Sequence, residues 1–230
     1  MRANPLMVAL DTEDREILRT LVDQLAPAVG AFKVGFFPFL LFGWDLVDYI
    51  HSRGSRVFLD LKFHDIPNTV ANAVEAAARR KVFMVNLHTL GGREMMERAA
   101  ARVRDLSPRP LLLGVTLLTS MGPREMEEVG LTGTVEERVL SLARLAHDSG
   151  LDGVVASPRE ARAIKDALGR DFIIVTPGVR PPGVPIQDQK RVTTPREAMA
   201  AGAHYIVVGR PICQAPDPVA VAREILEELR

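Results

Sequence analysis

Three ionisable residues stand close together at the end of one apolar run. Residues 57–69 read VFLDLKFHDIPNT, in which Asp60 and Lys62 are two residues apart and Asp65 follows three residues later. On a β-strand, residues two apart leave the chain on the same face. Such groups are costly to bury unless they form pairs or take part in chemistry. The alternative is a structural ion pair beside the next helix.

Two further charged residues lie in the two preceding apolar runs. Lys33 stands in AFKVGFF, without an acidic neighbour in the sequence. If adjacent strands bring it beside Asp60, then Lys33, Asp60 and Lys62 form an array of alternating charge that Asp65 could extend. The alternative is a lysine that reaches solvent from the strand edge. Asp11 ends the first run, where it either caps the helix that follows or binds a sugar hydroxyl.

Glycine and arginine follow two later runs in the same arrangement. Residues 176–180 read TPGVR, and residues 207–211 read VVGRP. Glycine lets backbone N–H groups approach an anion closely, and the guanidinium groups of Arg180 and Arg210 supply forked donors. The two segments together predict a site for a phosphorylated ligand.

Other polar residues carry weaker signals. Asn86 and His88 end the fourth run and could contact a ligand, although a structural hydrogen bond is the commoner role for such a histidine. No pair of histidines lies near a carboxylate with metal-ligand spacing, which argues against a transition-metal site, whereas Mg²⁺ held by carboxylates stays open. The single cysteine, Cys213, excludes an intramolecular disulfide or a cysteine-built zinc site and is interpreted as structural.

Eight short apolar runs alternate with longer amphipathic stretches along the whole chain. Their composition, without strict alternation, is typical of parallel strands covered on both faces. The predicted strands are 6–10, 31–34, 57–61, 83–87, 111–115, 153–155, 172–175 and 205–208, and the best-defined predicted helices are 12–25, 134–149, 158–168, 195–201 and 218–229.

Eight strand–helix units in 230 residues leave about 29 residues for each, close to the ~30 of a β-α step. This count favours an α/β fold in which residues 1–230 form a single-domain (β/α)8 TIM barrel. A doubly wound open sheet is the alternative, but no unit carries its glycine-rich GxGxxG turn. Two long connections, 117–133 and 176–194, follow strands five and seven at the end where a barrel places its active site, and the second resembles a lid.

The charge balance limits the partners. The chain has 29 Lys+Arg against 29 Asp+Glu, so its formal net charge is zero. General nucleic-acid binders and polybasic membrane anchors carry a basic excess. The most apolar stretch, residues 32–43, includes Lys33 and Pro38 and is shorter than the roughly 20 residues of a membrane helix. We therefore expect a cytoplasmic protein with a small-molecule ligand and no nucleic-acid or membrane partner.

The chain resembles the orotidine 5'-phosphate decarboxylase family over essentially its full length. The family's Asp-x-Lys-x-x-Asp followed by Ile-Pro-Asn-Thr occurs here at residues 60–69. Further matching segments follow the family's order: ALD at 9–11, FKVG at 32–35, VTLLTS at 115–120, TPGVR at 176–180, DQKR at 188–191 and VGRP at 208–211. One departure is Gln187, where members often carry an acidic residue.

The resemblance implies decarboxylation of orotidine 5'-phosphate to UMP and CO₂, the last step of de novo pyrimidine nucleotide synthesis, without a metal or other cofactor. Lys62 would donate the proton within an array of Lys33, Asp60, Lys62 and Asp65. Asp65 and Thr69 would reach the active site of the neighbouring subunit, which implies a homodimer.

The resemblance also assigns binding roles. Asp11 and Lys33 would hold the ribose hydroxyls, with Asp60 beside them, and Thr119 would help to fix the pyrimidine. The expected phosphate contacts are Arg180, Gln189, Gly209 and Arg210.

Two other functions fit the same residues. One is a sugar-phosphate decarboxylase or aldolase of the 3-keto-gulonate-6-phosphate type, which uses the same barrel and a similar Asp-x-Lys-x-x-Asp but requires Mg²⁺. The other is a nucleotide-phosphate sensor that binds without catalysis, although binding alone gives little reason for a lysine between two carboxylates.

Overall fold

The predicted runs form parallel strands that close into a barrel. The computed structural model describes residues 4–180 and 193–229. Within them, each strand pairs with the next in sequence, and the last pairs with the first. The strands are β1 (Leu6–Ala9), β2 (Ala31–Gly35), β3 (Val57–Phe63), β4 (Met84–His88), β5 (Leu111–Val115), β6 (Gly153–Val155), β7 (Ile173–Thr176) and β8 (Tyr205–Val208). The (β/α)8 barrel is confirmed, and the open sheet is wrong.

Helices cover the outside of the barrel, and their bounds are close to those predicted. They are α1 (Arg15–Leu25), α2 (Phe36–Ser52, interrupted at Gly43), α3 (Pro67–Arg79), α4 (Arg93–Val103), α5 (Pro123–Glu128), α6 (Val135–Asp148), α7 (Pro158–Leu168), α8 (Pro195–Ala201), α9 (Arg210–Cys213) and α10 (Pro218–Glu228). Among these described helices, none combines the length and apolarity needed to cross a lipid bilayer.

The first helix begins three residues later than predicted. Its N-cap is Asp14, whose Oδ1 accepts hydrogen bonds from the backbone N–H groups of Glu16 and Ile17 at 2.8 and 3.0 Å. The interpretation of Asp11 as the cap is therefore wrong. Asp14 satisfies the first turn because its side chain reaches the N–H groups two and three residues ahead, and this leaves the carboxylate of Asp11 available for other contacts.

Side chains alternate between the two faces of each strand and form two separate apolar cores. One set of side chains, including Leu6 and Val8 of β1, packs against the helices. The other set fills the barrel interior and contains Met7, Ala9, Ala31, Phe58, Met84, Leu113, Val175 and Val207. Because side chains two residues apart share a face, the next inward positions beyond Ala31, Phe58 and Met84 are Lys33, Asp60 and Asn86. The apolar interior thus ends in polar residues at the carboxyl ends of the strands.

An ion pair lies at the base of the barrel, where strands β5 and β6 begin. The Arg109 guanidinium donates two hydrogen bonds, of 2.8 and 2.7 Å, to the two carboxylate oxygens of Asp152. The same carboxylate accepts the backbone N–H of Leu112 at 2.8 Å. Asp152 therefore links the start of β5 to the start of β6.

Replacement of Asp152 should weaken this junction. Asp152→Asn removes the charge and one acceptor while little of the side chain is exposed, so we expect the free energy of unfolding to fall by about 1–3 kcal/mol. The matched control is Asp166→Asn, which removes an exposed i,i+4 pair with Arg162 and should cost about 0–0.5 kcal/mol. Urea denaturation of both variants measures the difference, and equal losses would contradict the linking role of Asp152.

Candidate active site

A cavity of about 510 Å³ opens at the carboxyl ends of the strands. Its floor is the last layer of the barrel interior, formed by Phe58, Val115, Val175 and Val207. The polar residues beyond this layer line the walls. A parallel barrel brings the carboxyl ends of all its strands to one rim, so residues far apart in sequence meet here.

Four charged side chains form a continuous line along one wall. The Nζ of Lys33 lies 3.8 Å from the Oδ1 of Asp11 and 3.2 Å from the Oδ2 of Asp60. The other oxygen of Asp60, Oδ1, accepts a hydrogen bond of 2.7 Å from the Nζ of Lys62. Strands β1, β2 and β3 are neighbours, which places the charges in the alternating order Asp11, Lys33, Asp60, Lys62.

Asp60 is the most deeply buried member of this line, with only 8% of its surface exposed. Burial alone raises the pKa of a carboxyl group, but the ammonium groups of Lys33 and Lys62 oppose that effect. Hydrogen bonds from Lys62 and Asn86 act in the same direction as the two charges, and the pKa of Asp60 is held below its usual value. Asp60 is therefore a carboxylate at neutral pH and keeps two ammonium groups beside the cavity.

Glycine and arginine line the part of the cavity that lies beyond β7 and β8. Gly178 and Arg180 follow β7, and Gly209 and Arg210 follow β8, and all four line the cavity. Gly178 has a φ of +75°, a left-handed conformation that glycine adopts without strain, so it allows the turn after Pro177. Two guanidinium groups at this position would attract an anionic group such as a phosphate.

A third side of the cavity is mainly apolar. Leu117 and Leu118 follow β5 and lie next to Thr119, which adds a hydroxyl. A flat ring with polar edges could lie between this side and the line of charges. The predicted long connection after β5 contains a short helix, α5, whose first turn is closed by a 2.8 Å hydrogen bond from the Gly122 N–H to Glu125.

Residues 4–225 match the model of the family described as orotidine 5'-phosphate decarboxylase / HUMPS. The chain belongs to this family.

Individual members of the decarboxylase family are similar along nearly the whole chain. The orotidine 5'-phosphate decarboxylase of Hydrogenovibrio crunogenus is 53% identical over 220 residues, which cover 96% of this chain and 93% of that protein. The enzyme of the same name from Moorella thermoacetica is 52% identical over 97% of this chain and 91% of its own. The crystal structure of orotidine 5'-phosphate decarboxylase from Lactobacillus acidophilus superposes with a TM-score of 0.87 at 37% identity and 99% coverage of both chains.

Most residues that the family resemblance selected lie around this one cavity. Eight of them line it, namely Asp11, Lys33, Asp60, Lys62, Thr119, Arg180, Gly209 and Arg210. Asp65 and Thr69 do not line it; they are exposed at the start of α3, and the Oδ1 of Asp65 accepts the N–H of Ile66. Gln189 and Gln187 lie outside the described residues, as does most of the predicted lid.

Sequence reasoning missed one polar residue of the cavity, and it left open whether Asn86 and His88 contact a ligand. Gln214 lines the cavity after α9, and no pattern distinguished it. Asn86 does not line the cavity and donates a hydrogen bond to Asp60. His88 forms no hydrogen bond at its buried Nδ1 with any described residue. Burial, with His64 and Lys62 nearby, lowers the pKa of His88, so its imidazole is neutral at neutral pH.

Cys213 lies close to the line of charges but is unreactive. Its Sγ points at the carbonyl oxygen of Ala9 at 3.3 Å. Burial, reinforced by the nearby carboxylate of Asp11, raises the pKa of this thiol to about 12. A thiol that stays protonated is a poor nucleophile, which agrees with a structural role.

The lowered pKa of Asp60 predicts a pH-dependent contribution to stability. An unfolded aspartate has a pKa of about 3.9, so the stabilisation by ionised Asp60 is complete above that pH and is lost as the pH falls through the lower folded pKa. We expect Asp60→Asn to reduce the free energy of unfolding at pH 7, and the difference from the wild type to shrink in acid. Urea denaturation at several pH values measures it, with exposed Asp166→Asn as the control. A difference that does not change with pH would show that Asp60 titrates normally.

Proposed function

We propose that this protein decarboxylates orotidine 5'-phosphate to UMP and CO₂, as the final step of de novo pyrimidine nucleotide synthesis. The observation that carries the proposal is the buried Asp60 carboxylate, which holds the ammonium of Lys62 at the wall of a cavity that two arginines also line. Family membership supports the same reaction. The balanced charge and the free thiol of Cys213 support a cytoplasmic location.

The reaction needs a fixed positive charge beside the reacting carbon. The bond between C6 of the pyrimidine ring and the carboxylate breaks, the electron pair stays on C6, and CO₂ leaves. The negative charge lies in an in-plane orbital that the ring carbonyls cannot delocalise. An ammonium already oriented at that position stabilises the charge without reorganisation and then transfers its proton to C6. Lys62 supplies this group and becomes a neutral amine, which solvent reprotonates.

The neighbouring charges keep Lys62 ready for this step. Asp60 accepts a hydrogen bond of 2.7 Å from the ammonium and so fixes its direction. The Lys62 Nζ also lies 5.8 Å from the centre of the Phe36 ring, within the range of a cation–π contact. We assign Lys62 as the proton donor, Asp60 as its orienting partner, and Asp11 and Lys33 as ligands of the ribose hydroxyls.

The remaining contacts would act on parts of the substrate that do not react. Thr119 would hold an edge of the pyrimidine, and Arg180, Gly209 and Arg210 would hold the phosphate, with Gln189 of the predicted lid beside them. Binding energy from the distant phosphate can be used to align the ring against Lys62, and so increase the rate.

The line of charges favours this reaction over the Mg²⁺-dependent rival. Divalent cations bind between carboxylates. Among the described residues, the carboxylates that line this cavity are those of Asp11 and Asp60. The Lys33 ammonium already lies between them, at 3.8 and 3.2 Å. A magnesium ion there would have to displace this lysine. UMP formation by protein treated with EDTA distinguishes the two reactions, and it also distinguishes catalysis from a sensor that only binds.

We further propose that the active protein is a homodimer in which Asp65 and Thr69 complete the partner's site. Both residues are exposed and stand beside apolar side chains that a monomer would leave in water. These include Phe36, Phe37, Leu40 and Leu41 at the start of α2, Ile66 before α3, and Leu90 after β4. Leu40 is 82% exposed. Apolar groups exposed together at one end of a barrel are typical of an interface.

Removal of the Lys62 ammonium should abolish most of the activity. We expect Lys62→Ala to lower kcat by roughly 10²- to 10⁴-fold, because the variant loses both the stabilising charge and the proton donor. The assay follows the loss of orotidylate absorbance and the formation of UMP. Near-normal turnover would remove Lys62 from the proposed role.

Lys81→Ala is the matched control for that variant. Lys62 and Lys81 are the non-glycine residues with positive φ among the described residues, at +46° and +55°. Both substitutions therefore place alanine in the same strained backbone conformation. Lys81 is exposed between α3 and β4, at the opposite end of the barrel, so its replacement should leave kcat unchanged.

If each active site contains residues of both subunits, two inactive variants should recover activity when their subunits mix. In a mixed dimer of Lys62→Ala and Asp65→Ala subunits, one site has both substitutions and the other has neither. Random exchange of subunits should therefore restore about one quarter of the wild-type sites. The measurement is UMP formation before and after exchange, with mixed dimers counted by native mass spectrometry.

Exchange without recovery of activity would show that Asp65 acts within its own subunit or not at all. The control places Leu40→Glu in both variants, which should prevent dimer formation and abolish the recovery. Leu106→Glu, an exposed leucine after α4 at the other end of the barrel, should leave the recovery intact.

A further inference from the structure

The pairing of β3 with β4 is interrupted where the charged residues lie. Leu59 pairs with Val85, but the next pair joins Phe63 to Leu87. Residues 60–62 of β3 are therefore opposite a single residue of β4, Asn86. A bulge of this kind leaves backbone groups without their usual ladder partners and changes the direction of the side chains.

The bulge places Lys62 in an unfavourable backbone conformation. Its φ is +46°, a region that residues with a Cβ rarely adopt. Such a conformation persists only where surrounding contacts hold it, and it is often found at functional sites. The left-handed turn directs the Lys62 side chain back towards Asp60, where its Nζ donates a hydrogen bond of 2.7 Å.

The side chain of Asn86 holds both parts of this arrangement. Its Oδ1 accepts the backbone N–H of Lys62 at 2.8 Å, and its Nδ2 donates to the Oδ1 of Asp60 at 2.6 Å. A flipped carboxamide would set its NH₂ against the Lys62 N–H and its oxygen against the carboxylate, so only one orientation satisfies both bonds. Asn86 is fully buried and does not line the cavity.

We propose that Asn86 is a positioning residue for the decarboxylation. It supplies the acceptor that the Lys62 N–H lacks in the interrupted ladder, and it sets the direction of the Lys62 ammonium and the Asp60 carboxylate. The inference rests on the proposed function. Asn86 contacts the carboxylate of Asp60 and the backbone of Lys62 together. It is not in contact with the cavity, so it acts on the substrate only through these two residues. The burial and short contacts of its carboxamide keep the proton donor in one place, and small displacements of a reacting group are costly to the rate.

The alternative is that Asn86 only satisfies buried polar groups. A structural residue of that kind would affect stability but not the turnover of the folded protein, whereas a positioning residue affects kcat more than KM. We expect Asn86→Ala to lower kcat by roughly 10- to 100-fold. Its KM should stay within about threefold, because the residues assigned to the ribose, pyrimidine and phosphate are unchanged.

Asn4 offers a matched control at the opposite end of the barrel. Its Oδ1 accepts the N–H of Leu6 at 3.1 Å, and its Nδ2 donates to the carbonyl oxygen of Ala28 at 2.8 Å. Asn4→Ala thus removes a similar pair of side-chain carboxamide hydrogen bonds from a strand end, and it leaves the line of charges unchanged. It should reduce the melting temperature and leave kcat as in the wild type.

A second substitution tests the same idea through the pH dependence of kcat. It is nearly isosteric, so it keeps the test available if the alanine variant does not fold. Asn86→Asp keeps an acceptor for the Lys62 N–H but places a second carboxylate against Asp60. Like charges that share a site raise the pKa of one of them. The acidic limb of the kcat profile should therefore move to higher pH, a change that lost stability alone does not produce.

The outcomes separate this inference from the proposed function. Wild-type protein that forms no UMP refutes the proposed function. An active wild type, with a folded Asn86→Ala or Asn86→Asp variant that keeps the wild-type kcat and pH profile, refutes only the role of Asn86. Equal effects of Asn86→Ala and Asn4→Ala on kcat would also overturn it.

Discussion

The Asp60 carboxylate, buried between two ammonium groups, is the interaction on which the rest of the site depends. Burial of this carboxylate would be unfavourable by itself, and the contacts of 3.2 Å to Lys33 and 2.7 Å to Lys62 offset that cost. The same contacts keep both lysines at the cavity wall. Removal of Asp60 would leave the ammonium groups of Lys33 and Lys62 without the carboxylate that they share, so the line of charges depends on this one residue.

The barrel makes this arrangement possible because all its strands end on one rim. On β2, β3 and β4, inward positions are apolar through the layer of Phe58 and Met84 and then become polar one step further along the strands. The apolar floor excludes water from below, which strengthens the electrostatic interactions above it. The base of the barrel is held by separate contacts, such as those of Asp152, which lie at the end of the molecule away from the charged line.

Much of this organisation could be predicted from the sequence. The strand bounds follow from short apolar runs, and helices α7 and α8 follow from a proline that starts the first turn. The Asp60–Lys62 spacing predicted a shared face, and both residues line the cavity, although the bulge and the positive φ of Lys62 direct its side chain there in place of regular strand alternation. These are local properties, in which neighbours along the chain are also neighbours in space. The same local reasoning failed for Asp11, because the helix begins three residues later than predicted and Asp14 caps its first turn.

Other features depend on contacts between distant parts of the chain. Asn86 is one polar residue at the end of an apolar strand, and nothing in its sequence surroundings predicts that it bonds both Asp60 and the backbone of Lys62. The bulge in β3 depends on the register with β4, which is a property of the pair. The residue types and their order therefore specify the barrel and the members of its charged line. Distances, burial and the positive φ of Lys62 arise only when the closed sheet brings separate strands together, because electrostatic and packing energies depend on separation in space and not along the chain.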